Sequence, residues 1–455
     1  MNSRPISVVR IVLEAVALLT VGPLFTPTTR GFEPEREFPD SSETIRVFVD
    51  QFQGDLSPAQ TRFVAKHMCG TQKLLAAQID GIRKYNPNFL MLHYRLAVRE
   101  SSPNITHIHN NRWSTDFTEV NKHEDWFLHT FDNPPQRVYQ PLGSAKEYIM
   151  DLSGRYNGAE FGWKEYFVKT VIEEVKACHA DGVFGDSAHT PWIVPAEMWN
   201  SQLGKLPCRE YVKHMGDFYA YVYKELDKAD MYWIPNIGGL CCSWDENECY
   251  TRDIHGAMVE GYAHRQSAGD WRLQQGRLLK LLRNGKIYIA QNGAKPEDIE
   301  ARLWYMANYL LMKHGKSYVN MIPNVQNRIC EAHWWPEYDL KIGRAVAPLP
   351  KSIEECKNAS GVYAREYQKA LVLVNPDDAA RTVELGRNER YQRVIPWGGG
   401  PIDREGKMPE GGLKLEPVEK EVAMLPWSGA ILMKAEKQSK DLRQRKKKAL
   451  RGSAD

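Results

Sequence analysis

The sequence lacks the motifs that mark the commonest nucleotide, zinc and serine-hydrolase sites. No GxGxxG or GxxxxGK(S/T) stretch opens a helix, which removes the main support for a nucleotide-binding fold. The 8 cysteines include no CxxC pair and no zinc-type spacing. Ser187 has no GxSxG turn around it, and His107 and His109 have no third ligand at a suitable spacing. We therefore expect neither a metal nor a cofactor.

Strong charge and long apolar runs are also absent from most of the chain. A formal net charge of +3 over 455 residues gives no reason to expect a nucleic-acid partner. The apolar run IVLEAVALLTVGPLF (11–25) follows two arginines, which predicts a signal peptide within 1–30, with a signal anchor as the alternative. We expect a secreted protein whose mature form has no stable membrane span. Residues 435–455 are predicted to be a basic disordered tail, with a nuclear address or contact with an anionic surface as alternatives.

Export through a secretory pathway would allow disulfide bonds. Cys241, Cys242 and Cys249 lie closest together, so one or two disulfides are expected, although the connectivity does not follow from the sequence.

Beyond a Pro- and Glu-rich linker (31–43), short apolar runs alternate with helical stretches. The candidate strands are 44–50, 89–94, 147–153, 182–187, 231–236, 256–262, 286–292 and 317–322. The candidate helices are 58–85, 164–179, 210–229, 269–284 and 297–314. This alternation predicts βαβ units and a parallel sheet. Eight strands in about 300 residues favour an α/β fold of the (β/α)8 TIM-barrel type over 44–345.

The pattern changes after about residue 345. Short alternating strands follow one another between turns such as Asn375-Pro376-Asp377, with no convincing helix. This pattern predicts a small C-terminal antiparallel β-sandwich over 346–434.

Polar and aromatic side chains occur where the predicted barrel strands end. Since active sites of such barrels form at the carboxyl ends of the strands, these side chains are the candidate site. The set is Asp50, His93, Tyr94, Arg95, Asp151, Asp186, Asn236, Glu260, His264, Gln291 and Asn292, with Trp126 as a loop tryptophan. Carboxylates, amides and an arginine among aromatics match the hydroxyls and apolar faces of a carbohydrate.

Asp186 and Glu260 are the best candidates for a catalytic pair, because they end strands four and six, and glycoside cleavage uses two carboxylates. The alternatives for Asp186 are a helix N-cap or a buried ion pair. Glu260 could instead pair with Arg265 on the rim. Asp151 could support Asp186 rather than bind substrate. Asp181, at the start of the same strand as Asp186, is expected to be structural.

The chain resembles a known family in several stretches. They are SPAQTRFVAKHMCGTQKLLAAQIDGIRKYNPNFLMLHYRLA, EDWFLH, YIMDLS, DGVFGDS, VEGYAH, AQNG and GVYAREY…LVLVNP…LPWSGAIL. Together they are similar to the TIM-barrel glycoside hydrolases called hypothetical glycosyl hydrolase family 15, over about residues 44–434. The resemblance implies a (β/α)8 barrel with a C-terminal β-domain, as in amylase- and α-galactosidase-type enzymes.

The layout is also similar to the retaining α-galactosidase clan. That similarity implies Asp186 as nucleophile and Glu260 as acid/base, although the clan usually has Asp in the second role. The expected activity is hydrolysis of an oligo- or polysaccharide. The alternatives are a noncatalytic carbohydrate-binding barrel and a transglycosidase on the same site.

Overall fold

The computed structural model describes residues 31–52, 55–102, 116–130, 133–142, 145–153, 162–188, 208–238, 249–265, 267–323, 332–386 and 390–435. The predicted signal segment, the tail beyond residue 435, His107, His109, Cys241 and Cys242 lie outside these ranges. From Pro34 onward the chain forms one compact unit. Within the described ranges, no helix combines the length and the apolar character needed to cross a membrane.

Eight parallel strands form the central sheet. They are β1 (Arg46–Val49), β2 (Gly70–Gln72), β3 (Leu90–Leu96), β4 (Gly182–Asp186), β5 (Tyr232–Pro235), β6 (Gly256–Glu260), β7 (Ile287–Ala294) and β8 (Ser317–Pro323). Their order is β5-β4-β3-β2-β1-β8-β7-β6. The two outermost strands also meet, because Asn236 and Met258 form a parallel bridge. The His255 N–H donates to the Trp233 carbonyl at 3.0 Å across the same seam.

Helices lie between most of these strands. The longer ones are α1 (Pro58–His67), α2 (Ala76–Arg83), α3 (Trp163–Ala177), α4 (Cys208–Lys228), α5 (Ala268–Arg283) and α6 (Ile299–Met312). Single helical turns occur at Phe117–Val120, Cys249–Arg252, Glu124–Trp126, Pro336–Asp339 and Ile353–Cys356. Four predicted helices are present within two residues of their expected bounds.

The predicted helix 58–85 is wrong, because β2 divides it. Ser57 caps α1 as expected, with Pro58 in the first turn and Gln60 completing a capping box. The chain then leaves the helix so that Gly70 can pass between β1 and β3. A Cβ at Gly70 would lie 2.6 Å from the Phe48 ring and 2.8 Å from the Leu90 Cβ. Packing against two neighbouring strands therefore overrides the local helical pattern.

The predicted barrel strand 147–153 is also wrong. Ala145–Ile149 pairs antiparallel with Arg99–Ser102 and Tyr139–Leu142 in a separate three-stranded sheet, here called the side sheet. An alternating apolar pattern does not distinguish a strand of a parallel barrel from one of a small antiparallel sheet. One strand was missed (β2) and one was wrongly included (147–153), so Asp186 still ends the fourth strand of the central sheet.

Side chains of the barrel strands alternate between the helix layer and the interior. Outward residues such as Val47, Val183 and Val259 pack in the core beneath the helices. Phe38 fills the interior at the amino ends of the strands. Its ring centroid lies 5.7 Å from that of Phe48, 5.0 Å from that of Tyr232 and 5.1 Å from that of Tyr318. The opposite end, where the strands finish, is left for polar groups.

The C-terminal part consists of short antiparallel strands. A five-stranded sheet joins, in this order, Tyr363–Glu366, Ala370–Asn375, Ser428–Lys434, Tyr391–Gly398 and Gly411–Val418. Arg381–Glu384 pairs with Glu421–Met424, and His333–Trp334 pairs with Gly400–Pro401. The five-stranded sheet and the pair formed by Arg381–Glu384 and Glu421–Met424 share one core, which includes Leu373, Val383, Val422 and Leu432. We name Ala370–Asn375 and Ser428–Lys434 the docking strands, because both contact α6.

Candidate active site

Each strand of the central sheet has one side chain, on the strand or directly after it, that faces the inner side of the sheet at the carboxyl end. Paired residues in a sheet face the same side. The register Glu260–Gln291–Asn320 and the pairs Gln72–Leu92 and Tyr94–Phe184 therefore show which side chains face inward. These side chains form one layer, whose members are Asp50, Gln72, Tyr94, Asp186, Asn236, Glu260, Gln291 and Asn320. The layer below is almost wholly apolar, so the polar groups are concentrated at the mouth.

Asn236 joins the two predicted catalytic carboxylates. Its Nδ2 donates to Asp186 Oδ1 at 2.9 Å and to Glu260 Oε2 at 2.7 Å. Because both oxygens are bonded to the same nitrogen, they lie no more than about 5.6 Å apart. The predicted pair is therefore brought together, and an amide with two protons holds it.

The orientation of the Asn236 amide is set by its surroundings. Its Oδ1 accepts the Gly238 N–H at 3.0 Å, which leaves Nδ2 to face the carboxylates. Its own N–H donates to the Gly185 carbonyl at 2.8 Å and so attaches the end of β5 to β4. Asn236 is almost fully buried, so a fixed donor is presented to both acids.

Asp186 is surrounded by donors and a positive charge. The Tyr94 hydroxyl donates to its Oδ2 at 2.5 Å, and the Ser187 N–H donates to its Oδ1 at 2.7 Å. Burial by itself raises the pKa of the Asp186 carboxyl. The charge of Lys73 and these hydrogen bonds more than offset burial, so the pKa lies below its ordinary value. Asp186 is therefore ionised at neutral pH.

Glu260 is shifted in the opposite direction. It is exposed at the end of β6, yet its carboxyl group is crowded enough by protein that loss of hydration raises its pKa. The negative charge of Asp186 raises the pKa further. The hydrogen bond from Asn236 lowers it without cancelling these effects. Two adjacent carboxyl groups therefore have pKa values displaced in opposite directions. This is the arrangement of an acid beside a base or nucleophile.

Two residues at the end of β2 were not predicted from the sequence: Gln72, a member of this layer, and Lys73, which follows it. Lys73 Nζ lies 3.1 Å from both carboxylate oxygens of Asp50, and Gln72 Nε2 donates to the same carboxylate. Asp50 was predicted to bind substrate, but its carboxylate is engaged by these two neighbours. The available signal was a glycine followed by β-branched Thr71 within an otherwise helical stretch, a combination unfavourable in a helix interior.

The prediction that His93 and Arg95 bind substrate is corrected. They flank the inward-facing Tyr94, so strand alternation turns both toward α3. There His93 Nε2 lies 2.9 Å from Glu174 Oε2, and Arg95 donates to Glu174 Oε1 at 2.9 Å. Both are completely buried on the outer face of the sheet.

Trp126 and Asp151 lie in the segment around the side sheet. The Trp126 ring is buried and stacks on His123, with a centroid distance of 3.9 Å. The Asp151 carboxylate accepts the Ser153 N–H at 2.7 Å, and the Asp151 N–H donates to the Trp126 carbonyl. The structure therefore places them as parts of that segment.

The other predicted residues, Gln291, Asn292 and His264, lie in different places. Gln291 belongs to the inward layer and accepts a hydrogen bond from Asn320 at 3.2 Å. Asn292 alternates away, and its amide donates to the Tyr262 carbonyl. His264 is exposed just after the end of β6. The Arg265 guanidinium, the alternative partner of Glu260, lies over the Trp304 ring at 5.4 Å.

Weak structural likenesses link the chain to several solved enzymes. The α-amylase of Geobacillus thermoleovorans, complexed with acarbose, is 11% identical with a TM-score of 0.42, and the match covers 88% of this chain and 100% of that one. The GH27 β-L-arabinopyranosidase of Geobacillus stearothermophilus is 8% identical with a TM-score of 0.47, covering 88% and 98%. At such values they say nothing about substrate or mechanism. No curated protein matches the sequence.

The family profile gives a stronger result. Residues 83–371, more than half of the chain, match the hypothetical glycosyl hydrolase family 15. The matched range includes β3 to β8, and therefore Tyr94, Asp186, Asn236 and Glu260. The resemblance drawn from the sequence motifs is confirmed, and the chain belongs to hypothetical glycosyl hydrolase family 15.

Proposed function

We propose that the protein is a retaining glycoside hydrolase that acts on an oligo- or polysaccharide, with Asp186 as nucleophile and Glu260 as acid/base. One observation carries this proposal: a single amide bridges two carboxyl groups whose pKa values are displaced in opposite directions. An ionised carboxylate can attack, and a protonated neighbour can donate, only if both states coexist at the working pH.

The first step forms a bond between an Asp186 carboxylate oxygen and the anomeric carbon. The glycosidic bond breaks, and the Glu260 proton passes to the departing oxygen. In the second step Glu260 takes a proton from water, whose oxygen attacks the anomeric carbon. The bond to Asp186 then breaks, and its carboxylate is restored. Each step leaves Glu260 in the protonation state that the next one needs.

The spacing of the two acids supports retention over inversion. Carboxyl groups of retaining enzymes stand about 5–5.5 Å apart, whereas inverting enzymes need about 6.5–9.5 Å to admit a water molecule between acid and base. The limit of about 5.6 Å for the two oxygens bonded to Asn236 Nδ2 agrees with the shorter range.

The frame of this site is proposed to be a closed (β/α)8 barrel over 44–345 with a β-sandwich over 346–434. The β5–β6 bridge supports closure, and the core shared by two C-terminal sheets supports the sandwich. We also propose, from the N-terminal sequence alone, that the protein is secreted.

Isosteric variants test the assignment on a panel of chromogenic glycosides and polysaccharides. We expect Asp186→Asn to lower kcat by more than about 10³-fold while sugar binding is retained, because only the nucleophile is lost. Glu260→Gln should lose activity most strongly on substrates with poor leaving groups. Asp80→Asn, an exposed change on α2, is the matched control and should behave as wild type.

Proton NMR of the first product determines the stereochemistry, and retention of the anomeric configuration is expected. Inversion would remove the nucleophile role from Asp186. Sugar binding by the wild type without turnover would indicate a noncatalytic binding barrel, and capture of the intermediate by a sugar acceptor would indicate a transglycosidase. Unchanged turnover in both variants would overturn the proposal.

A further inference from the structure

We propose that Lys73 is a positioning residue that sets the ionisation states of the carboxylate pair from the opposite side of Asp186, through Tyr94. This inference rests on the proposed function. It assigns to Lys73 an electrostatic role in the reaction without contact with the reacting atoms.

Lys73 is held in one place within the barrel mouth. Its ammonium group is bonded equally to both oxygens of Asp50, at 3.1 Å each. The same group lies 4.7 Å from the centroid of the Tyr94 ring. The Tyr94 hydroxyl in turn donates to Asp186. A continuous set of contacts therefore runs from β1 through Lys73 to the Asp186 carboxylate.

The backbone at Lys73 adopts a conformation that serves this placement. Gln72 faces inward, so an extended chain would turn Lys73 toward the helices. Instead Lys73 has φ of 65°, in the left-handed region that residues other than glycine seldom occupy. The turn brings the ammonium to Asp50 and Tyr94, which both face the interior. Unfavourable backbone conformations of this kind cluster at functional sites.

The charges around the pair come from several strands. Asp50 directly follows β1, Lys73 follows β2, Tyr94 lies on β3, and Asp186 and Glu260 end β4 and β6. Glu147 of the side sheet also acts on Tyr94. Three carboxyl groups thus share the mouth with the Lys73 ammonium. Its charge favours the ionised forms of both Asp186 and Glu260.

The distribution of charge explains the division of roles. A negative charge at Glu260 is opposed by the charges of both Asp186 and Asp50, which raise its pKa. Lys73 lowers the pKa of Glu260 less than burial and Asp186 raise it, so the pKa of Glu260 stays above its ordinary value. Lys73 therefore favours the ionised form of Asp186, while the pKa of Glu260 remains raised.

Removal of this charge should shift the whole pH profile. In Lys73→Met, the pKa values of Asp186 and Glu260 should both rise. We expect both limbs of the kcat/KM profile to move to higher pH by about one unit. In Lys73→Arg, which keeps the charge, the limbs should stay near their wild-type positions. Lys66→Met, an exposed change at the end of α1, is the control.

A second variant, in which the side chain keeps its shape, should move the pH profile in the opposite direction. Asp50→Asn can still accept a bond from Lys73, but it leaves the ammonium charge uncompensated. Both limbs should then move to lower pH. If the limbs of Lys73→Met and Asp50→Asn both stay within about 0.2 units of wild type while KM rises, Lys73 acts only in structure or binding, and the inference is overturned.

A stability cycle separates this inference from the proposed function, because it needs no substrate. Melting temperatures are measured against pH for wild type, Asp186→Asn, Lys73→Met and the double variant. Because the folded pKa of Asp186 is lowered, its ionisation contributes stability above the unfolded pKa, and that contribution is lost as the pH falls. We expect the pH-dependent cost of Asp186→Asn to shrink without Lys73. An unchanged cost would overturn the inference even in an active enzyme, whereas a smaller cost in an inactive protein would contradict only the proposed function.

Discussion

Asn236 is the residue on which the geometry of the carboxylate pair depends. A side-chain amide has two protons, and here each is donated to a different acid. An aspartate at this position could not supply both donors and would add negative charge. The identity of this residue is therefore dictated by the two acids that it contacts.

We expect Asn236→Ala to lower kcat/KM by about 10²-fold, because both carboxylates lose a buried donor. The alkaline limb of the kcat/KM profile should also move to higher pH, because the variant loses the hydrogen bond from Asn236 that lowers the pKa of Glu260. The pH dependence of kcat/KM is the measurement. Asn292→Ala is the comparison, because its amide bonds the Tyr262 carbonyl outside the layer. Equal losses in the two variants would contradict the bridging role.

Residue-scale prediction failed where neighbours in a strand were grouped together. His93, Tyr94 and Arg95 were assigned to one rim, yet strand alternation allows only one side of that triplet to face the interior. Tyr94 faces Asp186, and the other two face Glu174. The alternation is a property of sequence, but which face is inside follows from the packing of α3.

At the scale of elements, β4 has two acids with different surroundings. Asp181 precedes the strand and accepts bonds from Arg36 at 2.9 Å, Arg83 at 2.7 Å and the Met91 N–H at 2.7 Å. It connects the amino ends of β3 and β4 to nearby loops and helices. Asp186 ends the strand among donors at the mouth. Since parallel strands keep their direction, the two ends serve different purposes.

Isosteric changes at the two ends should separate stability from activity. Asp181→Asn removes a buried charge partner of both Arg36 and Arg83. We therefore expect a loss of about 3 kcal/mol in the free energy of unfolding, with kcat of the folded protein unchanged. Asp186→Asn should change stability by less than about 1 kcal/mol and abolish turnover. Urea unfolding at pH 7 and kcat measure the two effects. A similar stability loss in both would contradict this division.

Close packing within the central sheet also sets the position of β4 at Gly185, the residue before Asp186. A Cβ added to Gly185 would lie 2.2 Å from the Trp233 ring, so glycine allows β4 and β5 to approach on the outer face. Asp186 and Asn236 follow directly after this contact. Their hydrogen bond therefore depends on a close contact on the outer face of the sheet, on the side away from the site.

At the scale of the whole molecule, α6 connects the central sheet to the C-terminal strands. Most of its residues are buried, from Arg302 to Met312, whereas a barrel helix normally buries one face. Its other side is covered by the docking strands, where a Cβ at Gly429 would lie 2.6 Å from the Ala307 Cβ. Tyr367 donates to the Leu310 carbonyl and Arg365 to the Leu311 carbonyl. One core cluster spans both parts.

We therefore expect one cooperative unfolding transition in calorimetry rather than two. A chain that ends after Ala345 should expose the apolar outer side of α6 and aggregate, or bind a hydrophobic dye, instead of folding as a free barrel. A chain that ends after Ala435 is the control and should melt with the full-length protein. A soluble, cooperatively melting barrel from the shorter chain would contradict this view.

The sequence by itself determined the features that depend on local pattern. Alternating strands and helices predicted the parallel sheet, and the acids at strand ends predicted Asp186 and Glu260 as a pair. Such patterns can be recognised in the sequence because side-chain periodicity and helix capping depend on only a few neighbouring residues.

Only the tertiary structure decided the rest. The three residues of β2 are too few to show a strand pattern, and they form one because β1 and β3 are in place to pair with them. Lys73 enters the site only after that pairing and the left-handed turn that follows it. Strand pairing joins segments that are distant in the chain, so its outcome depends on packing that no local stretch of sequence contains.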